Sequence, residues 1–530
     1  MPGRLALVNG RVYTQEPARP LAEGVAIVGN RIAHVGSTDD VLKMAGSGAE
    51  RIELGGRAAL PGFVDAHFHL LGYCHERHRL KLDGLRSVAD VVALVREAAG
   101  KLSPDAWVLG RGWNRNLWPG AAFPTRHHLD AVSPDRPVML LSRDVHAVWA
   151  NSAALARAGI TRDTPDPPGG RIVRDADGEP TGVLLEAAGG AVRALADRAS
   201  VETSAELLRD GQWALNAVGI TALVNFEGQQ ALQALQLVDD ADGLTLRVSA
   251  GLTRDSLGGA LEVGLRTGFG SERIRIGLLK LFADGALGSG TAAMLEPYED
   301  SPDDRGIATL DRDELVDLTR RAWASGIGVA AHAIGDAAVR LVLDAAEIVR
   351  ADDHPAARTQ LLRVEHAQLV HPDDVPRFGR LGVVASMQPL HATSDMDVAD
   401  RRWGARCRTA YAWRMLLDGG AQLAFGTDCP VEPPDPLRGI HAAVTRQRPN
   451  GAPPGGWYPA QRLTVAEAIH AYTLASAAAA GWEGDLGSLA PGKLADLVVL
   501  SRDPYAVPSA ELLDTEIAMT VFDGQVVHER

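Results

Sequence analysis

Between residues 62 and 426 the chain alternates short, nearly continuous apolar runs with longer stretches in which apolar residues recur at helical spacing. The runs Gly62–His67, Ile220–Asn225, Leu246–Ala250, Ile274–Phe282, Gly328–Ala333, Leu361–His366, Gly382–Met387 and Gln422–Gly426 read as strands covered on both faces, as in a parallel sheet. Helical patterns follow them. Asp336 heads an apolar-periodic run to Val349 and reads as its N-cap, and His371-Pro372 opens another helix with proline in the first turn. Thr464-Val465-Ala466-Glu467 has the capping-box pattern ahead of Ala468–Ala480. Eight strands with intervening helices predict an α/β fold closed as a (β/α)8 TIM barrel rather than an open sheet.

The two ends of the chain follow a different pattern. Leu5–Val8, Val25–Val28 and Ile32–Val35 are short branched-apolar runs with a tight turn at Gly29-Asn30. Asp496–Leu500, Ala518–Phe522 and Gln525–His528 resemble them, with a turn at Asp523-Gly524. Neither set buries a core alone, so residues 1–58 and 485–530 are expected to form one composite β-sandwich. Residues 59–106 and 211–484 are left for the barrel. Residues 107–210 carry their own strands, Pro137–Ser142 and Gly182–Leu185, and a helix, Asn151–Ala158, and read as an inserted subdomain.

Composition narrows the partners more than the chemistry. With 53 basic and 67 acidic residues the net charge is −14, and no basic block occurs, which argues against nucleic acid and anionic membranes as partners and says little about the expected small-molecule substrate. The three cysteines lack C-x-x-C spacing, so neither a disulfide framework nor a structural zinc knot is expected and a reducing cytoplasm fits. Leu5–Val8 is too short for a signal-peptide core, and no apolar run reaches membrane-spanning length. A homodimer is an open expectation that no motif decides.

The chemistry lies at strand ends. In Asp65-Ala66-His67-Phe68-His69 the two histidines stand at i and i+2 on an extended backbone, so both imidazoles point to one side and reach one metal ion. An isolated H-x-H is also matched by two polar residues closing a strand. Lys280 adds weight, because it sits inside the apolar run Ile276–Phe282, where a lysine is costly unless paired, neutralised or modified. His332, His366 and Asp428 each end or follow a further strand. Metal-competent groups from this many separate strands point to one centre at the C-terminal rim of the barrel.

The set resembles the amidohydrolase superfamily, and more closely its YtcJ-like branch, which includes N-substituted formamide deformylases. The resemblance runs almost end to end, through Ala59–His69, Lys280–Ser289, His332–Asp336, Val364–Ala367, Met387–Pro389, Gly426–Val431 and Gly487–Val498. It implies a hydrolase cleaving a non-peptide C–N bond, an amide or N-substituted formamide, by a metal-bound hydroxide. It implies His67 and His69 on the more buried metal, and Lys280 carboxylated by CO₂ and bridging to a second metal held by His332 and His366. Asp428 would ligate the first metal, take a proton from the metal-bound water and pass it to the leaving nitrogen. Two Zn²⁺ per chain are the default for such ligands, with manganese, iron and nickel as alternatives. A one-metal site with Lys280 salt-bridged to Asp284 competes with this reading.

Further residues carry two readings each. His146 resembles a pocket position of the YtcJ-like group that contacts the scissile carbonyl, or it caps the helix near Asn151. Trp113 and Trp118 wall an apolar pocket or simply pack. His391 and Asp395, on a rim loop after the seventh strand, touch substrate or are exposed. His75, His78, His371 and His470 are helical or helix-adjacent and carry no expected role, and Cys429 is expected to be buried and inert. A heterocycle deaminase or cyclic amidohydrolase with a mononuclear site is one alternative, lowered by Gly335 three residues after His332, where such deaminases carry Glu. A non-catalytic scaffold is another, and it should lack a ligand; none is missing.

Overall fold

The computed structural model describes residues 3–101, 106–142, 147–167, 170–196, 200–352 and 359–530. Two compact units result: Met1–Tyr73 with Ala205–Arg530, and Cys74–Ser204.

The first unit contains eight parallel strands in chain order, β1 (Phe63–Phe68), β2 (Ile220–Asn225), β3 (Arg247–Thr253), β4 (Ile274–Phe282), β5 (Val329–Ala333), β6 (Leu362–His366), β7 (Val384–Met387) and β8 (Leu423–Phe425). Each pairs with its sequence neighbour, and all residues of β1, β2, β6, β7 and β8 are buried. The ring is completed past the end of β8. There the Asp428 N–H donates to the His67 carbonyl (2.8 Å) and the His69 N–H to the Cys429 carbonyl (2.9 Å). Gly426 makes that approach feasible, since a Cβ there would lie 2.5 Å from the His67 nitrogen and 2.6 Å from Asp65 Oδ1. This (β/α)8 barrel is the fold the strand pattern predicts.

The same unit carries two sheets from both chain ends. One contains Arg4–Val8, Gly24–Val28, Arg31–Gly36 and Glu50–Glu53; the other pairs Ala58–Pro61 with Arg11–Tyr13 on one side and Leu497–Leu500 on the other. Leu7, Val25, Ile27, Leu497, Val499 and Val521 share one core between them. Thr464 and Glu467 form the anticipated capping box. Asp336 departs from expectation. The N-cap is Gly335, and the Asp336 carboxylate instead accepts the Leu295 N–H at 2.8 Å, pinning the long segment that follows β4.

The second unit begins at Cys74 rather than near Trp107, because Leu80–Lys81 pairs with Val108–Trp113 and the helix Val88–Lys101 packs Val91 and Val95 into the same core. Its sheet also contains Val138–Ser142, Ala147–Ala150, Pro180–Glu186 and Gly170–Arg174. Among the described residues no helix is long and apolar enough to cross a membrane.

Candidate metal centre

Alternation along β1 places Asp65, His67 and His69 on one side, and the first of these acts as a brace. Asp65 accepts the His67 N–H (3.1 Å), the Thr427 N–H (3.0 Å) and the Thr427 hydroxyl (2.6 Å), which ties β1 to the segment carrying Asp428. Burial pushes the Asp65 carboxyl up to about 7. Plain alternation cannot bring adjacent residues of β6 to one site, yet Glu365 and His366 both serve the same region. Left-handed backbone at His366 (φ 74°) and Ala367 (φ 42°) redirects the chain there, and Asp428 (φ 57°) shares this strained geometry.

His67, His69, Lys280, His332, His366 and Asp428 all line one cleft of about 350 Å³. Asp428 Oδ1 lies 3.2 Å from His69 Nε2 and 3.4 Å from His67 Nε2. Lys280 Nζ is 3.3 Å from His67 Nε2 and lies over the Phe226 ring at 4.5 Å. The His366 ring is 4.8 Å from that of His67 and 4.6 Å from that of His332.

Hydrogen bonds behind the rings fix which nitrogen each can offer. His67 Nδ1 donates to Glu365 (2.7 Å), His332 Nε2 to the Gly285 carbonyl (2.8 Å) and His366 Nδ1 to Gln388 Oε1 (2.8 Å). The opposite nitrogen of each ring keeps its lone pair. Burial, with Lys280 adding repulsion, pushes the His67 and His332 imidazoles down to about 4; burial and the neighbouring histidines take His366 well below its ordinary value. Burial would raise Asp428, but the surrounding histidines hold it well below the usual carboxylate range. Imidazole nitrogens of His67 and His69 that face the ionised Asp428 carboxylate are the donor set of a divalent cation, so these three residues fit a metal, whereas no atom of His332 joins a converging group among the described residues.

Burial also pushes the Lys280 ammonium down to about 8. Asp284 is not its partner. That carboxylate accepts the N–H groups of Ala293 (2.9 Å), Ile334 (3.0 Å) and Gly335 (2.8 Å) and lies 3.5 Å from His332 Nε2.

His391 and Asp395 stand not on a rim loop but in the helix Pro389–Trp403, which begins almost directly after β7. His391 is buried, stacks on His366 at 6.0 Å and brings Nε2 to 3.8 Å from Asp428 Oδ2; Asp395 accepts the Tyr411 hydroxyl at 2.7 Å. Both line the cleft. The histidine group His366, His391 and Asp428 also holds its ligand-type atoms within 4.8 Å of one another. Trp113 and Trp118 are core residues of the second unit rather than pocket walls. They stack on each other at 5.8 Å, and their indole N–H groups donate to the carbonyls of Leu140 and Leu85. His146 lies outside the described residues. Cys429 is buried.

The residues passed over by sequence reasoning are Glu365 and Arg363. Arg363 holds Glu365 through two contacts (2.7 and 3.0 Å) and donates to the Ala66 carbonyl (2.6 Å) and the Ser386 hydroxyl (2.8 Å). Burial alone would raise the Glu365 carboxyl, but Arg363 and His67 hold it low, so it accepts from His67 as an anion. The available signal was an Arg-x-Glu pair inside an otherwise apolar strand.

Residues 50–528 match the family model described as the amidohydrolase family. The chain belongs to this family. YtcJ of Bacillus subtilis, described as a candidate amidohydrolase, is 35% identical over 98% of this chain and 99% of its own length. The N-substituted formamide deformylase of Arthrobacter pascens is 30% identical, covering 99% of this chain and 98% of that one. Among solved structures, an uncharacterized metal-dependent hydrolase of Pyrococcus furiosus matches with a TM-score of 0.82 and 31% identity, over 95% of this chain and 100% of that one. The amidohydrolase is thus a (β/α)8 hydrolase of the metal-dependent type, in the YtcJ-like branch that its sequence resembles.

Proposed function

We propose that this amidohydrolase cleaves a C–N bond in a small amide or N-substituted formamide at the His67–His69–Asp428 centre. The observation that carries the reading is the convergence of Asp428 Oδ1 on His67 and His69, at 3.4 and 3.2 Å, in a cleft open to a small molecule. His67, His69 and Asp428 would hold one divalent cation, with Lys280, His332 and His366 beside them for a second; zinc suits the donors. Bound there, such a cation supplies Lewis-acid polarisation of a carbonyl and acidifies water to a pKa near ~7.

The chain's own groups supply the proton traffic. With Oδ1 turned to the histidines, Asp428 Oδ2 remains for the proton of the attacking water. Delivered to the amide nitrogen as the C–N bond breaks, that proton lets the amine leave neutral, and water has been split between acid and amine. His391 Nε2, 3.8 Å from Oδ2, sits where it can hold the reacting carbonyl or the carboxyl during that transfer.

Lys280 is proposed to carry a carbamate. Its ammonium first loses one proton, and the free amine then adds to CO₂, forming an N–C bond and losing a second; with two protons released to solvent, a buried cation is replaced by an anion with two oxygens. Support comes from its burial beside His67 with no carboxylate ion pair among the described residues. The test is a panel of formamides, acylated amines, N-acyl amino acids and cyclic amides on metal-analysed protein, with and without chelator. Chelator-sensitive release of amine is expected; turnover in metal-free protein sinks the reading. Reconstitution of stripped protein should need bicarbonate, and one metal per chain would count against the carbamate.

A further inference from the structure

A second cavity, of about 300 Å³, lies beside the histidine cleft. Phe226, Leu281, Phe282 and Leu310 make it apolar, with Thr253 and Thr309 on its walls. The two spaces meet at Lys280 and Phe282, which line both. Phe282 ends β4 with 52% of its surface exposed, an aromatic ring left uncovered at the point where the cavities join. Two exposed charges, Arg254 and Asp255, stand at the rim; Arg254 is already paired with Glu314 and Asp255 repels anions, so the rim is poorly placed to select an anionic group.

We propose that this cavity is an acyl subsite that takes an apolar acyl group of several carbons; the inference rests on the amide-hydrolase reading above. Orientation follows from the barrel. Asp428 follows β8, whereas Phe226, Thr253, Leu281 and Phe282 stand at the ends of β2, β3 and β4. In a ring of eight strands β4 faces β8. An amide whose nitrogen lies at Asp428 therefore sends its acyl half towards β4 and into the apolar space. A formyl group leaves that space unused. Each methylene buried there should favour the substrate by about fourfold, until the cavity is filled.

The experiment holds the amine constant and lengthens the acyl group from formyl through acetyl and butanoyl to hexanoyl. In the wild-type holoenzyme kcat/KM should rise by about tenfold or more between formyl and butanoyl. Thr309→Trp fills the cavity from one wall and Thr253→Phe from another; each should flatten the series, with thermal unfolding and metal content checking that the fold persists. A wild-type series that is flat or falls from formyl overturns the proposal, as does a trend that both filled variants retain. Dependence on the length of the amine instead would put the apolar half the other way round and overturn it too. Should no amide be turned over, the amide reading fails separately. Calorimetry with acetate, butanoate and hexanoate on metal-loaded protein then decides the subsite: affinity that climbs with chain length only in the wild type supports it, and any other pattern overturns it.

Discussion

Two groups of buried charge within the barrel unit show opposite chemistry. At the start of β3, Arg247 is fully buried and every arm of its guanidinium is used: Nε and Nη2 donate to Asp496 (2.7 and 2.9 Å), Nη2 also to Asp523 (2.8 Å) and Nη1 to the Glu272 carbonyl (2.7 Å). At the opposite ends of the strands, Lys280 faces an imidazole and an aromatic ring, and the Nε2 atoms of His391 and Gln388 are buried with no hydrogen-bond partner among the described residues. The first group binds the terminal sheets to the barrel and is complete in itself. In the second, the His67 and His69 Nε2 atoms converge on Asp428 Oδ1 while those buried donors beside them lack acceptors, which is costly for a fold and useful for holding a cation and a substrate. Burial alone distinguishes nothing; satisfaction does.

That contrast is broken most severely by emptying the mouth. His67→Ala or Asp428→Asn should lower kcat by about 10³-fold or more, because a Lewis acid and a proton carrier are worth several kcal/mol together. The melting temperature should stay within a few degrees, since these residues are not complete structural networks; turnover near the wild-type level in metal-clean buffer would sink the assignment. Arg247→Met should do the reverse. Leaving Asp496 buried without its cation, with Asp523 keeping Arg273 as its own, costs about 3–5 kcal/mol, read by denaturant unfolding, while metal content and kcat per folded molecule are retained. If Arg247→Met instead strips metal with stability intact, the distinction between the two groups is wrong.

The same contrast explains what was legible in the sequence. The strands carrying Lys280, His332 and His366 stood out because apolar runs covered on both faces are a one-dimensional pattern, and a polar residue interrupting one is conspicuous. The H-x-H of β1 was readable because strand alternation needs only sequence spacing. His391 belongs to a helix rather than a loop, and Pro389 at its first position is the available signal, the same one that marks the helix start at Pro372. For Trp113 and Trp118 the sequence leaves pocket wall and packing both open; the choice rests on their indole N–H groups reaching the backbone carbonyls of Leu140 and Leu85, a long-range pairing no local pattern encodes. Glu365 was hidden for a related reason: its partner His67 is supplied by a strand far away in sequence. The second unit's early start at Cys74 likewise depends on a strand pairing across the chain.

Glu365 lies between the two extremes, satisfied on its Arg363 side and serving the mouth on its His67 side. Glu365→Gln should weaken metal binding by about 10- to 100-fold, measured by competition with a chelator. Removing both charges, as Arg363→Met with Glu365→Gln, should recover stability but not metal affinity; recovery of both would make Glu365 only a counter-ion to Arg363.

The smallest effect belongs to the edge of the complete network. Burial would raise the Asp523 carboxyl, but hydrogen bonds and charge from Arg247, with Asn30 and Arg273, hold it below its ordinary value. The unfolded chain therefore binds that proton more tightly than the folded one. Stability from this group is present above the ordinary carboxylate pKa of ~4 and is lost as pH falls through the lower folded value. Asp523→Asn removes the titration, so its melting temperature should lie closer to that of the wild type at acid pH than at neutral pH. Melting curves from neutral to acid pH check this: a constant gap between the two proteins would mean that the Arg247 cluster contributes nothing through Asp523 that protonation can undo.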